Sequence, residues 1–163
     1  MRAKLIYNRL PQIQHDAAKA LAKGNEAAAD ELREVLQRAL DDGSGGIQSD
    51  TRALASSLYV KATGRNDYSE ALAAAKTAFT THSSRYHKGE TEEARARAFE
   101  RVKADHEPLH EPPEHVCVAA VATMLAYGNK WEFERDWMKN PTFEWAHSRL
   151  EAIHAAHLRE ALS

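Results

Sequence analysis

Apolar residues recur at Leu10, Ile13, Ala17, Leu21, Ala28, Leu32, Val35 and Ala39. Steps of three, four and seven draw one stripe along a helix from about Leu10 to Leu40. Pro11 suits its first turn, where an N–H would go unpaired anyway. Asp41-Asp42-Gly43 ends it, because glycine takes the left-handed capping conformation freely. Gly24 interrupts the stripe, at a cost of about 1 kcal/mol relative to alanine. Roughly 30 residues rising about 1.5 Å each make a rod of about 45 Å. Such a rod crosses the whole domain or projects to touch a neighbour.

The pattern then changes period. Ser44-Gly45-Gly46 reads as a flexible joint, and Asp50 to Ser57 as one or two capped helical turns. Ser57 to Ala62 alternates and is rich in strand formers, which predicts a strand with Leu58 and Val60 facing inward. Thr63 to Asp67 is a turn. Asp67 or Ser69 caps a helix to about Thr80 that buries Leu72, Ala75 and Phe79. Thr91 caps a second helix, with Glu92 and Glu93 in its first turn and Ala94, Ala98, Phe99 and Val102 packing back on the preceding helix. Together they form a helical hairpin inserted at about residues 67–106.

Three prolines make residues 107–115 a stiff, extended loop. Val116 to Ala122 is a nearly continuous apolar run, which predicts a strand buried on both faces or covered by helices. Thr123 caps a short helix through about Trp137. Pro141 opens a last helix to Leu162, whose inward stripe is Phe143, Ala146, Leu150, Ile153, His157 and Ala161. The expected fold is α+β and mostly helical: a long N-terminal helix and a C-terminal helix packed on a small β-sheet, in a single domain over residues 1–163.

Composition supports helix. Alanine supplies 30 of 163 residues, against 7 glycines and 5 prolines. The 22 basic and 24 acidic residues leave a net charge of -2, which argues against a dedicated nucleic-acid binder. No apolar run reaches the roughly 18 residues of a membrane span. The N-terminus turns polar after Tyr7 and is not expected to be a secretory signal. A single cysteine, Cys117, excludes an internal disulfide, and its apolar run predicts a buried, inert thiol.

Nine histidines invite a metal-site reading. His106, His110 and His115 share one loop with Glu107, Glu111 and Glu114, and histidine with carboxylate is the usual ligand chemistry for zinc. Pro108, however, breaks the helix that would align His106-Glu107 with His110, so a solvated polar loop is the better reading. His147 and His154 lie seven residues apart on the last helix, too far for one metal, and suit a surface or interface. No phosphate-cradling loop or nucleophile elbow is present. Arg95, Arg97 and Arg101 alternate with Glu92, Glu93 and Glu100, as on a solvated face. Trp131, Trp137 and Trp145 crowd the C-terminal third and suit either a protein interface or a local core. No catalytic residue, metal or cofactor is expected.

Three segments carry a family resemblance. Asp50-Thr51-Arg52-Ala53-Leu54-Ala55-Ser56-Ser57 resembles the Asp-Thr-Gly-x-Leu-x-x-Ser signature of the tail-completion (neck, or minor tail) proteins of long-tailed bacteriophages. Ala126-Tyr127-Gly128-Asn129-Lys130-Trp131-Glu132-Phe133 is similar to that family's Tyr-(Ala/Gly)-x-x-Val-Glu-(Phe/Tyr)-Gly element. Pro141-Thr142-Phe143-Glu144-Trp145-Ala146 is similar to its Pro-(Phe/Tyr)-Leu-x-Pro-Ala helix start. Arg52 and Glu134 stand where relatives carry glycines that allow tight turns.

The resemblance implies a non-enzymatic virion protein at the neck, made in the host cytoplasm and joining head connector to tail. Its expected partners are copies of itself in a sixfold ring, the connector or adaptor, and the tail terminator or tube. DNA would pass nearby without specific binding, and no membrane is involved. The residues carried over are structural: Asp50, Thr51, Leu54, Ser57, Tyr127, Trp131, Glu132, Phe133, Pro141, Phe143 and Ala146. For Glu132, between two aromatics, either a basic or backbone N–H partner or a solvated surface position is expected. The rival readings are a cytoplasmic helical protein-interaction module and a His/Glu metal-dependent enzyme.

Overall fold

The computed structural model describes residues 2–44, 52–81, 89–110, 119–128 and 136–162, with the backbone alone at 2–8. The fold is α+β and mostly helical, as the periodicities predict. Helix α1 spans Arg2–Asp42 and ends at Gly43, whose φ is 77°. It starts eight residues before the expected Leu10, so Pro11 lies inside the helix rather than in its first turn. Helix α2 (Ala53–Ser56) is the expected short turn, and it leads into β1 (Leu58–Ala62).

Strand β1 is the centre of a three-stranded antiparallel sheet ordered β2-β1-β3. Thr63 and Gly64 (φ 80°) form a two-residue hairpin loop to β2 (Arg65–Asn66), with Ala62 opposite Arg65. Strand β3 (Ala119–Thr123) pairs along the other edge, Leu58 opposite Thr123 and Val60 opposite Val121.

The inside–outside alternation expected for β1 is not seen: all five residues are buried, Tyr59 and Lys61 included. The reverse error applies to β3, where Ala119 to Ala122 are half-buried and Thr123 alone is buried. A central strand is covered on both faces whatever its residues. An outer strand packs less completely, and apolar composition alone does not separate the two. Val116, Cys117 and Val118 lie outside the described residues.

Helices α3 (Tyr68–Thr81) and α4 (Glu92–Val102) lie against each other, with Phe79 and Phe99 edge to face at 5.6 Å. Ala71, Ala75, Ala78, Phe79 and Phe99 share one core with Leu36 and Leu40 of α1, Leu54 of α2 and Leu58 and Tyr59 of β1. Thr91 caps α4 as expected, its side chain accepting from Ala94 N–H at 3.2 Å. For α3 the cap differs. Asn66 Oδ1 accepts the Tyr68 N–H at 3.0 Å, because the Asp67 carboxylate is engaged by arginines.

The C-terminal helix has three parts: α5 (Lys139–Trp145), a π-helical segment (Ala146–Leu150) and α6 (Glu151–Leu162). Ser148 Oγ lies 3.0 Å from the carbonyls of both Glu144 and Trp145, which share its one hydroxyl proton, so a hydroxyl enters the helical ladder at the wide turn. The expected inward stripe is only partly seen: Trp145 is buried in place of Phe143, which is 66% exposed, and Leu150 is 37% exposed, while Ile153 and His157 are half-buried.

Candidate functional site

The first and second motif segments meet. Ser57 follows α2 and lies fully buried; its Oγ is 2.7 Å from the Leu54 carbonyl and 2.6 Å from Thr123 Oγ1. Its one hydroxyl proton goes to the carbonyl, so Thr123 donates to Ser57 and accepts from Leu125 N–H at 3.2 Å. This chain of buried hydroxyls welds the end of α2 to the end of β3. Gly128 closes the cluster. A Cβ there would stand 2.7 Å from Thr123 Cγ2 and 3.2 Å from Leu54 Cδ1. The Gly128 carbonyl accepts from the indole N–H of Trp137 at 3.0 Å, and Trp137 is fully buried. Trp137 thus belongs to a local core and not to the polar connector its neighbours suggest.

Of the other motif residues, Leu54 is buried and Tyr127 half-buried, burial pushing the Tyr127 hydroxyl well above its ordinary pKa. Pro141 and Ala146 are half-buried. Phe143, expected to face inward, points to solvent because the buried position falls on Trp145. Asp50, Thr51, Trp131, Glu132 and Phe133 lie outside the described residues. Arg52 takes a left-handed backbone conformation, φ 58° and ψ 2°, immediately before α2.

Two polar assemblies escaped the sequence reading. The Arg65 guanidinium forks onto Asp30 (2.7 and 2.9 Å) and Asp67 (3.0 and 2.6 Å), while Arg33 reaches the same two carboxylates at 3.1 Å each. This quartet ties α1 to the β1–β2 hairpin and the start of α3. The Arg65 hydrogen bond, with help from Arg33, holds the Asp67 carboxyl below its ordinary pKa despite partial burial. A spacing of three between Asp30 and Arg33 was the visible half of the signal; the hairpin that delivers Arg65 was not.

The second assembly pins the proline loop. Lys61, only 4% exposed, lies 2.8 Å from Glu107 and donates to the Leu109 carbonyl at 3.0 Å. Leu109 N–H donates to Tyr59 Oη at 3.1 Å, and burial raises the Tyr59 pKa. Both backbone groups of Leu109 are therefore clamped by alternate residues of β1. The start of the loop is anchored through Glu107 and the Leu109 backbone, while His106 and His110 are exposed, as a solvated polar loop predicts.

Specific polar contacts join α1 to the C-terminal helix. Glu31 accepts from Trp145 Nε1 (3.0 Å) and from Arg149 (2.7 and 3.1 Å), and the Arg149 bond holds its carboxyl below the ordinary pKa. His154 bridges Asn25 Oδ1 (2.8 Å) and the Leu150 carbonyl (2.9 Å). Gly24 gives this contact its room: a Cβ there would lie 3.0 Å from the His154 ring. The break in the α1 stripe is thus a close approach.

Among the described residues no group of three or more His, Cys, Asp or Glu side chains is placed to hold a metal ion; His115 and Cys117 lie outside them. No helix of the described residues is long and apolar enough to cross a membrane. Among the described residues, the motifs meet in a packing node of buried hydroxyls, a close-approach glycine and an indole. No protein-family model, curated protein or solved structure matches this chain.

Proposed function

We propose that the chain is a structural subunit of the head–tail joint of a long-tailed bacteriophage, a tail-completion or neck protein that acts as one copy of a ring between head connector and tail. The observation that carries this reading is the backbone at Arg52. The resemblance puts a glycine there in relatives, and Arg52 has a φ of 58°, a conformation that glycine adopts most readily. The side chain departs from the motif, whereas the backbone conformation is one that the motif's glycine would favour. The packing of Leu54 and Ser57 on Thr123 and Gly128 adds support, because it unites two motif segments some 70 residues apart in sequence.

The reading assigns no catalysis and no cofactor. It places the chain in the virion neck after synthesis in the host cytoplasm. Mass spectrometry of purified particles from the same genome, with cryo-electron microscopy of the neck, tests it. A sixfold ring of copies at the neck is expected, and particles free of this chain would end the proposal. The alternative, a cytoplasmic helical interaction module, draws on the exposed Leu10, Ile13 and Phe143. It predicts a chain that stays in the lysate when particles are removed.

A further inference from the structure

Helix α1 is electrically polarised against its own preference. Its peptide dipoles place partial positive charge at the N-terminus and negative charge at the C-terminus, so acids favour the first turn and bases the last. The first turn of α1 contains no acid and the last no base. Residues 2–23 carry Arg2, Lys4, Arg9, Lys19 and Lys23 against Asp16, a net of +4. The overall charge of -2 leaves -6 for the remainder of the chain. Asp41 and Asp42 sit in the last turn, where Asp41 is 3.8 Å from Arg52 and Asp42 accepts from Ser44 N–H. Side-chain charge and dipole therefore add at each end of a rod about 60 Å long.

The two ends also differ in shape. The C-terminal helix lies against α1 near Asp16, where His157 and Ala161 face Lys19 and Ala20 across a small cleft. Residues 9–15 are exposed on every side, with Leu10 48% and Ile13 44% exposed on a basic arm. At the opposite end, α1 and α5 enclose a cleft of about 490 Å³. Val35, Ala39, Pro141 and Trp145 supply its apolar lining, and Glu31, Asp42 and Glu144 its acids. Two bases also face it: Arg149 is held by Glu31, and Arg38 donates its Nε–H to the Glu34 carbonyl.

We propose that the basic arm of one copy docks on the acidic end of α1 in the next, seating Leu10 and Ile13 in that cleft. The occupant is a second copy because the chain supplies both complementary halves, apolar knobs on a positive pole and an apolar cleft at a negative one. Both surfaces lie on one molecule but at opposite ends, so the contact is head to tail. Such contacts close into rings or run on as filaments. The inference deepens the ring reading by naming the surfaces, yet self-association of the isolated chain tests it without any particle.

Sedimentation velocity on the full chain should show concentration-dependent association beyond a dimer, weakened by salt. The Leu10→Asp/Ile13→Asp double variant should weaken it by tenfold or more, as loss of an interface anchor does. These side chains are exposed, so circular dichroism and melting should match the parent. A mixing experiment separates head-to-tail from two-fold pairing. Leu10→Asp/Ile13→Asp removes the arm, and Glu144→Arg, an exposed charge reversal at the cleft, removes the receiver without touching the core. Each variant alone should be monomeric, while an equimolar mixture should form a dimer and stop there. A parent chain that is monomeric up to about 1 mM would overturn the proposal. So would association limited to a two-fold dimer, a mixture that stays monomeric, or an arm that binds anionic phospholipid vesicles or duplex DNA while the chain remains single. Copies in the particle neck alongside a negative mixing result would reject these surfaces and leave the proposed function standing.

Discussion

Gly128→Ala is expected to destabilise the protein through one identified methyl group. An alanine Cβ at this position would stand 2.7 Å from Thr123 Cγ2, a distance that side chains do not tolerate. Thr123 cannot rotate away freely, because its hydroxyl bridges Ser57 and Leu125 in a buried site. Either the hydroxyl chain breaks or residues 126–128 shift away from α2. Overpacking of this kind costs about 1–3 kcal/mol. Alanine in place of glycine in a helical turn would otherwise gain about 0.5–1 kcal/mol. The net expectation is a loss of about 1–2 kcal/mol, or some 2–4 °C in Tm per kcal/mol for a chain of this size.

Thr123→Ser keeps the hydroxyl and deletes the obstructing methyl, at a cost of about 1 kcal/mol in lost burial. If the clash is the cause, the double variant should be no less stable than Thr123→Ser alone, since the new methyl occupies the vacated space. Urea denaturation of all four proteins completes the cycle. An interaction of at least 1 kcal/mol in the favourable direction is expected. Additivity to within about 0.5 kcal/mol, or a Gly128→Ala protein more stable than the parent, would refute the reasoning.

Arg52→Gly should stabilise by about 0.5–1 kcal/mol in the same assay, because it relieves a left-handed side-chain-bearing residue; a loss would mean that the 3.8 Å contact to Asp41 outweighs the backbone strain. Asp67, whose folded pKa is depressed by Arg65, contributes stability fully present above the ordinary carboxylate pKa of about 4 and lost as pH falls below it. Asp67→Asn should therefore lower stability at pH 7 and flatten the decline on acidification, as measured by melting from pH 7 to pH 3. Glu107→Ala leaves the Lys61 ammonium buried beside the Leu109 carbonyl without its carboxylate, and about 2–3 kcal/mol should be lost in urea titration, discounted for the solvent reaching Glu107. Trp145→Phe removes the 3.0 Å hydrogen bond to Glu31 together with part of a buried ring and should cost about 1–3 kcal/mol in the same titration.

Much of the fold was legible because local chemistry and tertiary packing agreed. The α1 helix, the stop at Gly43, the Thr91 cap and the β1 strand each follow from a few neighbouring residues. The α1 stripe is the buried face only in part: Leu10, Ile13 and Leu21 are 41–48% exposed, while Leu36 and Leu40, outside it, are fully buried, because only the C-terminal half of α1 meets the core. What failed depended on placement. Nothing in Leu58 to Ala62 marks β1 as the central strand, so alternation was expected where both faces are buried. Nothing in Val116 to Ala122 tells that Ala119 to Val121 lie on an outer strand. Phe143 and Trp145 are two residues apart, and a regular stripe chose the wrong one, because the contact with Glu31 of α1 that draws Trp145 inward is not visible locally. At the motif cluster, Leu54, Ser57 and Tyr127 were named in advance, but Thr123, Gly128 and Trp137 acquire their meaning only when α2 and β3 meet.

The π-helical segment makes the two halves of the last helix independent correspondents of α1. An inserted residue turns everything beyond it by about 100° relative to an unbroken α-helix. Trp145 is set to meet Glu31, and a different phase beyond the wide turn brings His154 to Asn25 and Gly24. The segment thus works like a vernier between two rods whose surface repeats do not match over six turns. Removing one residue from 146–150 would leave a better helix and a worse fit, with α6 presenting the wrong face along its length. Length changes at this point are therefore far less neutral than the exposed position of Ser148 suggests, although a partner rod with a compensating offset would accommodate them.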